Sequence, residues 1–264
     1  MQHAKVGDAW LHVESLPAKG GPTVVYINSL GSDLRIWDGV VERLAASGYG
    51  ALRFDLRGHG LSDLGTPPKL IADHVKDVVG IMDAFGVTRA PICGVSVGGV
   101  IALGLAQAAP ERVEKLVLCC TGAKIGDAAL WNPRIAAVEK GGVAALSEAT
   151  LQRWFPPDVH AAAGPDFALV RNMLNRTPGA GYIATCVALR DSDLTEAARG
   201  VKVPALCVAG ELDGSTTPEF VRSLVALVPG AEYFEIKGAG HLPCVQTPEV
   251  LADRIRAFVG APRL

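Results

Sequence analysis

The sequence predicts an α/β protein: a doubly wound, mostly parallel sheet with a helical cap inserted over one edge. Three observations predict it. Strand-like and helix-like runs alternate from the N-terminal region as far as Cys120. The run Thr23 to Ile27 is continuously β-branched and aromatic, as a strand covered on both faces of a parallel sheet is. From Gly122 to Gly200 helical periodicity continues without a convincing strand, and strands then resume. The expected core is therefore 1–121 with 201–264, and the expected cap is 122–200.

The elements follow in order. Ala9 to Glu14 is short and mixed in polarity, which suits an antiparallel edge strand entered from a turn at Gly7-Asp8. Thr23-Val24-Val25-Tyr26-Ile27 is β-branched and aromatic throughout, a strand buried on both faces, ending at Asn28-Ser29-Leu30-Gly31. From Leu34, the apolar positions Trp37, Val40, Val41 and Leu44 keep helical spacing until Gly48. Ala51 to Asp55 is another short strand, followed by the glycine-broken loop Leu56 to Asp63. Leu70 to Phe85 reads as a helix with Ile71, Val75, Val78, Val79 and Met82 inward. Strands are expected at Ala90 to Cys93, Val113 to Cys119, Val203 to Ala209 and Glu232 to Ile236, and a closing helix at Pro248 to Val259.

Composition narrows the function classes. At 49% hydrophobic residues the chain can bury a large core. A net charge of −2 and the lack of a lysine or arginine cluster leave no electrostatic footprint for nucleic acid or an anionic membrane, so a small-molecule partner is expected. Ala90 to Pro110 is uncharged for long enough to suggest a membrane helix, but four glycines, Ser96, Gln107 and a proline near each end favour a buried strand joined to a buried helix. Six cysteines show no C-x-x-C spacing, and Met1-Gln2-His3-Ala4-Lys5 lacks an apolar signal segment. The expectation is a cytoplasmic protein with free thiols.

Chemistry centres on Gly94-Val95-Ser96-Val97-Gly98, lying between an apolar run and the small-residue segment Val100 to Ala109. Strand, sharp turn and helix would expose the Ser96 hydroxyl at a strand's tip, with the Val97 N–H at the positive end of the helix. With 30 glycines in the chain the pattern alone decides little, and context must. A nucleophilic serine needs a base and a carboxylate to hold that base. Asp213 follows the strand ending at Ala209-Gly210, and His241 follows the strand ending near Ile236, so both arrive on the rim that carries Ser96. The order Ser, Asp, His is the one this fold uses.

With these residues in place the chain resembles the α/β-hydrolases along nearly its whole length. The likeness rests on the serine turn, on Arg53-Phe54-Asp55-Leu56-Arg57-Gly58-His59-Gly60-Leu61-Ser62, on Gly210-Glu211-Leu212-Asp213 and on Gly240-His241. It implies that the Leu30 N–H joins that of Val97 in an oxyanion hole. Many relatives carry His-Gly where this chain has Asn28-Ser29, and Asn-Ser-Leu-Gly is similar to the loop of 3-oxoadipate enol-lactonases. The segments Ala123-Lys124-Ile125-Gly126, Trp131-Asn132-Pro133-Arg134-Ile135, Arg153-Trp154-Phe155, Arg171-Asn172-Met173-Leu174 and Ala188-Leu189-Arg190-Asp191-Ser192-Asp193-Leu194 resemble that family's cap. The resemblance implies opening of a small carboxylated enol-lactone in aromatic catabolism, with no metal or organic cofactor.

A carboxylated substrate calls for a cation in the pocket. Arg134 is the first candidate, because Trp131 and Arg134 at i and i+3 share one helix face, and Arg190 is the second. Each could equally be a surface group or a structural ion pair. Trp131 and Trp154 are candidate pocket walls or cap-packing residues. Arg57 and His59 are expected to brace loops, His12, His74 and His160 to be surface or structural, and Cys93 to be an inert buried thiol. The rival readings are a carboxylesterase, a carbon–carbon hydrolase of ring-cleavage products, and a non-catalytic ligand sensor on the same scaffold. Serine at 96 disfavours a dehalogenase, which needs aspartate there.

Overall fold

In the computed structural model, which describes residues 1–260, the apolar runs become the inner strands of one eight-stranded sheet. The strands are β1 (Gln2–Val6), β2 (Ala9–Leu16), β3 (Thr23–Ile27), β4 (Gly50–Phe54), β5 (Ala90–Val95), β6 (Val113–Cys119), β7 (Ala205–Gly210) and β8 (Glu232–Ile236). Their spatial order is β1-β2-β4-β3-β5-β6-β7-β8. The β1–β2 and β2–β4 pairs are antiparallel and the remaining pairs parallel. The sheet therefore corrects one expectation: β2 is paired on both sides, and β1 is the edge. Only Ala4 of the five β1 residues is buried, so the strand carries almost no hydrophobic signal.

Helices α1 (Asp38–Ala46), α2 (Ile71–Ala84) and α3 (Val97–Ala108) connect the early strands. The crossover through α1 steps from β3 to one neighbour, β4, while those through α2 and α3 step the other way. Right-handed crossovers then put α1 and α2 on opposite faces of the sheet. α2 packs on α3, and α1 packs on the closing helix. The order reverses beside β3, so the carboxyl ends of β3 and β5 border the crevice where ligands of such sheets bind. α2 also buries His74 and Asp77 among its apolar residues, while Val79 lies at its margin.

Between β6 and β7 the chain forms α4 (Ala128–Gly141), α5 (Ser147–Trp154), α6 (Pro157–Ala162), α7 (Pro165–Arg176), α8 (Gly179–Arg190) and α9 (Thr195–Arg199), with no strand. These helices touch the sheet's loops closely: Gly31 lies against Leu174 and Tyr182, and Gly58 against Gly181. α10 (Pro218–Leu227) follows β7, where the sequence reading assigned nothing, although Thr217 caps it by accepting the Phe220 N–H and Pro218 opens it. α11 (Pro243–Gln246) and α12 (Pro248–Val259) complete the fold. Among the described residues no helix is long and apolar enough to cross a membrane, and Ala90 to Pro110 divides into β5 and α3.

Candidate active site

The serine turn is tighter than the sequence suggests: β5 ends at Val95 and α3 starts at Val97, leaving Ser96 alone to reverse the chain. Its backbone takes φ 58° and ψ −120°, a strained conformation for a residue with a side chain. Neighbouring glycines make the approach possible. A Cβ at Gly94 would collide with the Gly98 carbonyl, and one at Gly98 with the Ile27 carbonyl. The turn is held by Ser96 N–H donating to Cys119 O at 2.9 Å and Thr121 Oγ1 donating to Ser96 O at 2.6 Å. Thr121 is a brace that the motif alone does not reveal.

His241 is buried, and its Nδ1 lies 2.8 Å from Asp213 Oδ2. Asp213 is also buried, and its other oxygen accepts the Ser215 and Thr216 N–H groups at 2.7 and 3.0 Å. Burial works to raise the Asp213 pKa, but the charge of His241 and these hydrogen bonds outweigh it and hold the carboxyl below its ordinary value. Thr216 Oγ1 adds a contact that the sequence reading missed, 2.8 Å from both Asp213 Oδ2 and Cys120 O. The Cys120, Asp213 and His241 ligand atoms lie within 4.8 Å of one another. A metal there would have to part the carboxylate from the imidazole, and burial, with the charge of Asp213, pushes the Cys120 thiol far up.

Ser96 and His241 line one cavity of about 220 Å³, together with Leu30, Trp131, Arg134 and Trp154. Among the described residues the Ser96 Oγ makes no hydrogen bond; such bonds in ligand-free sites often tighten only when substrate arrives. The N–H groups of Leu30 and Val97 likewise have no acceptor among the described residues. Two unspent donors thus flank the serine, one from the β3 loop and one from the first turn of α3. A larger cavity, about 450 Å³, opens beside His12, Asp55 and Leu169 and does not include Ser96 or His241.

The four candidate substrate-binding residues divide. Arg134 reaches the cavity: its Nε donates to Tyr182 Oη at 2.7 Å and a terminal nitrogen to Thr150 Oγ1 at 2.9 Å. Its guanidinium also lies 5.9 Å from the Trp131 ring centre and 5.6 Å from that of Tyr182. Burial pushes the Tyr182 phenol up to about 12, so every partner of Arg134 is uncharged at neutral pH. Trp131 is buried and donates Nε1–H to Ile125 O at 2.6 Å. Trp154 stacks on the His241 ring, centres 5.7 Å apart, and its carbonyl accepts the His241 N–H at 2.8 Å. Both tryptophans are packed and line the cavity, combining the two roles considered for them.

Arg190 is the correction. It does not line the cavity with Ser96; its Nε and a terminal nitrogen pair with Asp191 at 2.7 and 2.8 Å, and its other terminal nitrogen donates to Asn132 at 2.9 Å. The adjacent aspartate satisfies it as a structural ion pair. Arg153, quoted in the sequence only as part of a cap segment, does line the cavity. Elsewhere, Arg57 bonds Asp77 at 2.7 Å and Asp8 at 2.9 Å, and His59 Nδ1 lies 3.0 Å from Arg57 O, so both brace loops. His12 meets Asp55 at 2.8 Å, His74 is buried, and Cys93 is a buried free thiol.

Fold, strained serine and acid–imidazole pair define a class, and comparison agrees: residues 22–248 match the model of the alpha/beta hydrolase fold, and the chain belongs to that family of hydrolases. Within it the chain is similar to 3-oxoadipate enol-lactonase 1 of Acinetobacter baylyi, with 32% identity over 94% of this chain and 92% of that one. The crystal structure of the enol-lactonase from Burkholderia xenovorans superposes with a TM-score of 0.93 at 34% identity, covering 98% of this chain and 99% of that one. A protein named as a carbamate hydrolase in Azorhizobium caulinodans is 28% identical over 98% of each chain.

Proposed function

We propose that this hydrolase opens a small carboxylated enol-lactone, 3-oxoadipate enol-lactone to 3-oxoadipate, in aromatic catabolism, with 122–200 as the cap over its site. One observation carries the reading: Ser96 and His241 share a small cavity with Arg134, a cation that has only neutral partners. A carboxylate on the substrate would supply the missing charge. The named lactonase relatives support this substrate class, and six buried free thiols accord with a reducing cytoplasm.

In this mechanism His241 takes the Ser96 proton as Oγ attacks the lactone carbonyl, and Asp213 holds the imidazole and stabilises its cation. The Leu30 and Val97 N–H groups receive the developing oxyanion; losing one such donor costs about 3 kcal/mol of barrier. The ring C–O bond breaks, and the enol oxygen leaves with the proton from His241 and tautomerises to a ketone. A water, deprotonated by His241, then cleaves the acyl-enzyme, forming the second carboxylate and restoring Ser96.

The test is a panel of the enol-lactone, a neutral ester, a ring-cleavage dienoic keto acid and a carbamate, assayed with wild type and Arg134→Ala. The enol-lactone should be turned over fastest, and Arg134→Ala should lose mainly on it. A fluorophosphonate should label Ser96 stoichiometrically and should fail to label a His241→Ala variant. Faster turnover of the carbamate or neutral ester would overturn the lactonase reading, and an unlabelled wild type would overturn the serine mechanism.

A further inference from the structure

Arg153 shares the cavity with Ser96, His241 and Arg134, yet among the described residues its side chain has no hydrogen-bond or ion-pair partner. Outside this cavity most described arginines, with Arg89, Arg171 and Arg176 the exceptions, are neutralised by carboxylates, among them Arg35 by Asp33, Arg57 by Asp77, Arg112 by Asp83 and Arg222 by Glu235. Arg153 and Arg134 are not, and they are close enough to repel. Burial first, and the charge of Arg134 second, pull Arg153 below its ordinary pKa. Two guanidiniums facing one cavity without a counter-charge favour an anion there.

The backbone of Arg153 is fixed where the inserted helices meet both loops of the acid–imidazole pair. Its carbonyl accepts the Gly214 N–H at 3.0 Å, one residue beyond Asp213. The next carbonyl, that of Trp154, accepts the His241 N–H at 2.8 Å. The side chain is only partly withdrawn from solvent, so its base is anchored while its head can meet a ligand.

We infer that Arg153 is a second carboxylate-recognition group, which with Arg134 makes the cavity selective for ligands bearing two negative charges. The inference rests on the proposed carboxylated substrate and explains a second cation that one carboxylate leaves unsatisfied. Hydrolysis adds water to a monoanionic lactone and releases a dicarboxylate and a proton, so the second charge arises in the reaction itself. Arg134, held by Thr150 and Tyr182, takes the carboxylate the substrate brings. Arg153, unattached, adds its charge to the attraction on that carboxylate and takes part in holding the dianion, so free dicarboxylates become competitive inhibitors.

The test compares wild type, Arg153→Gln and Arg153→Lys on two chromogenic esters, 4-nitrophenyl hydrogen succinate and neutral 4-nitrophenyl butyrate, with adipate and hexanoate as inhibitors. Fluorophosphonate labelling of Ser96 counts the folded, competent sites in each preparation. In Arg153→Gln the charged-to-neutral ratio of kcat/KM should fall about tenfold, and the Ki of adipate should rise about tenfold, the scale of one charge-assisted hydrogen bond. The Ki of hexanoate should rise less, and Arg153→Lys should retain most of the selectivity. A wild-type preference for the charged ester and for adipate that survives Arg153→Gln overturns the inference alone. A wild type without preference for the charged ester overturns the carboxylated-substrate reading and the inference with it.

Discussion

Arg57, in the loop that follows β4, and Arg134, in the inserted helices, are both at least partly withdrawn from solvent, but their surroundings are opposite. Arg57 arrives with its counter-charges, Asp77 and Asp8, and donates to the Val6 carbonyl as well. Arg134 has hydroxyls and aromatic faces, with another arginine nearby. A cation that serves the fold is neutralised by the fold, whereas one kept for a ligand is hydrogen-bonded into place and left with its charge to spend.

Breaking that contrast is a matter of stability measurements. Arg57→Met has the largest expected effect. Burial already pushes Asp77 above its ordinary pKa despite Arg57, so the intact pair contributes little net, but the orphaned carboxylate should cost about 3–5 kcal/mol. Urea unfolding reads this, while kcat/KM per folded molecule should hold. A variant as stable as wild type would erase the distinction between the two arginines.

Next in size is the pH response of the histidines beside Arg57. Burial holds His59 at about 4 and His74 at about 3, so both are neutral when folded but titrate near 6.5 when unfolded. Below 6.5 the unfolded chain binds more protons, and stability falls with pH. The loss should total about 3 kcal/mol between pH 6.5 and 5. His74→Gln should flatten about half of that slope; an equally steep slope in the variant would show that other groups carry it.

The smallest effect belongs to Arg134→Met, which leaves two hydroxyls short of a donor but relieves repulsion with Arg153. Its stability cost should be about 1 kcal/mol or less. A loss matching that of Arg57→Met would mean that Arg134, too, is a structural cation.

The sheet was legible wherever burial is two-sided. β3 and β6 have the predicted ends, because mostly apolar or β-branched runs admit few other homes, and β8 has them too although it is an edge strand that is only partly buried. β1 was not legible, since an edge strand with one buried side chain leaves little hydrophobic pattern. α10 was missed despite a readable Thr217-Pro218 start. Arg190 could have been demoted from sequence, because Asp191 stands next to it. Arg153 could not have been promoted, because its lack of a partner depends on where six helices fold.

Sequence alone determined the steric order of the chain: small residues at Gly94 and Gly98, alternating strands and helices, and a hydroxyl, a carboxylate and an imidazole at three strand ends. These follow from local sterics and hydrophobic periodicity, which neighbouring residues encode. Tertiary structure decided which charges meet. The pairing of His241 with Asp213, the neutral seat of Arg134 and the unpaired Arg153 depend on distances between segments far apart in the chain, and electrostatic partnership is set by those distances.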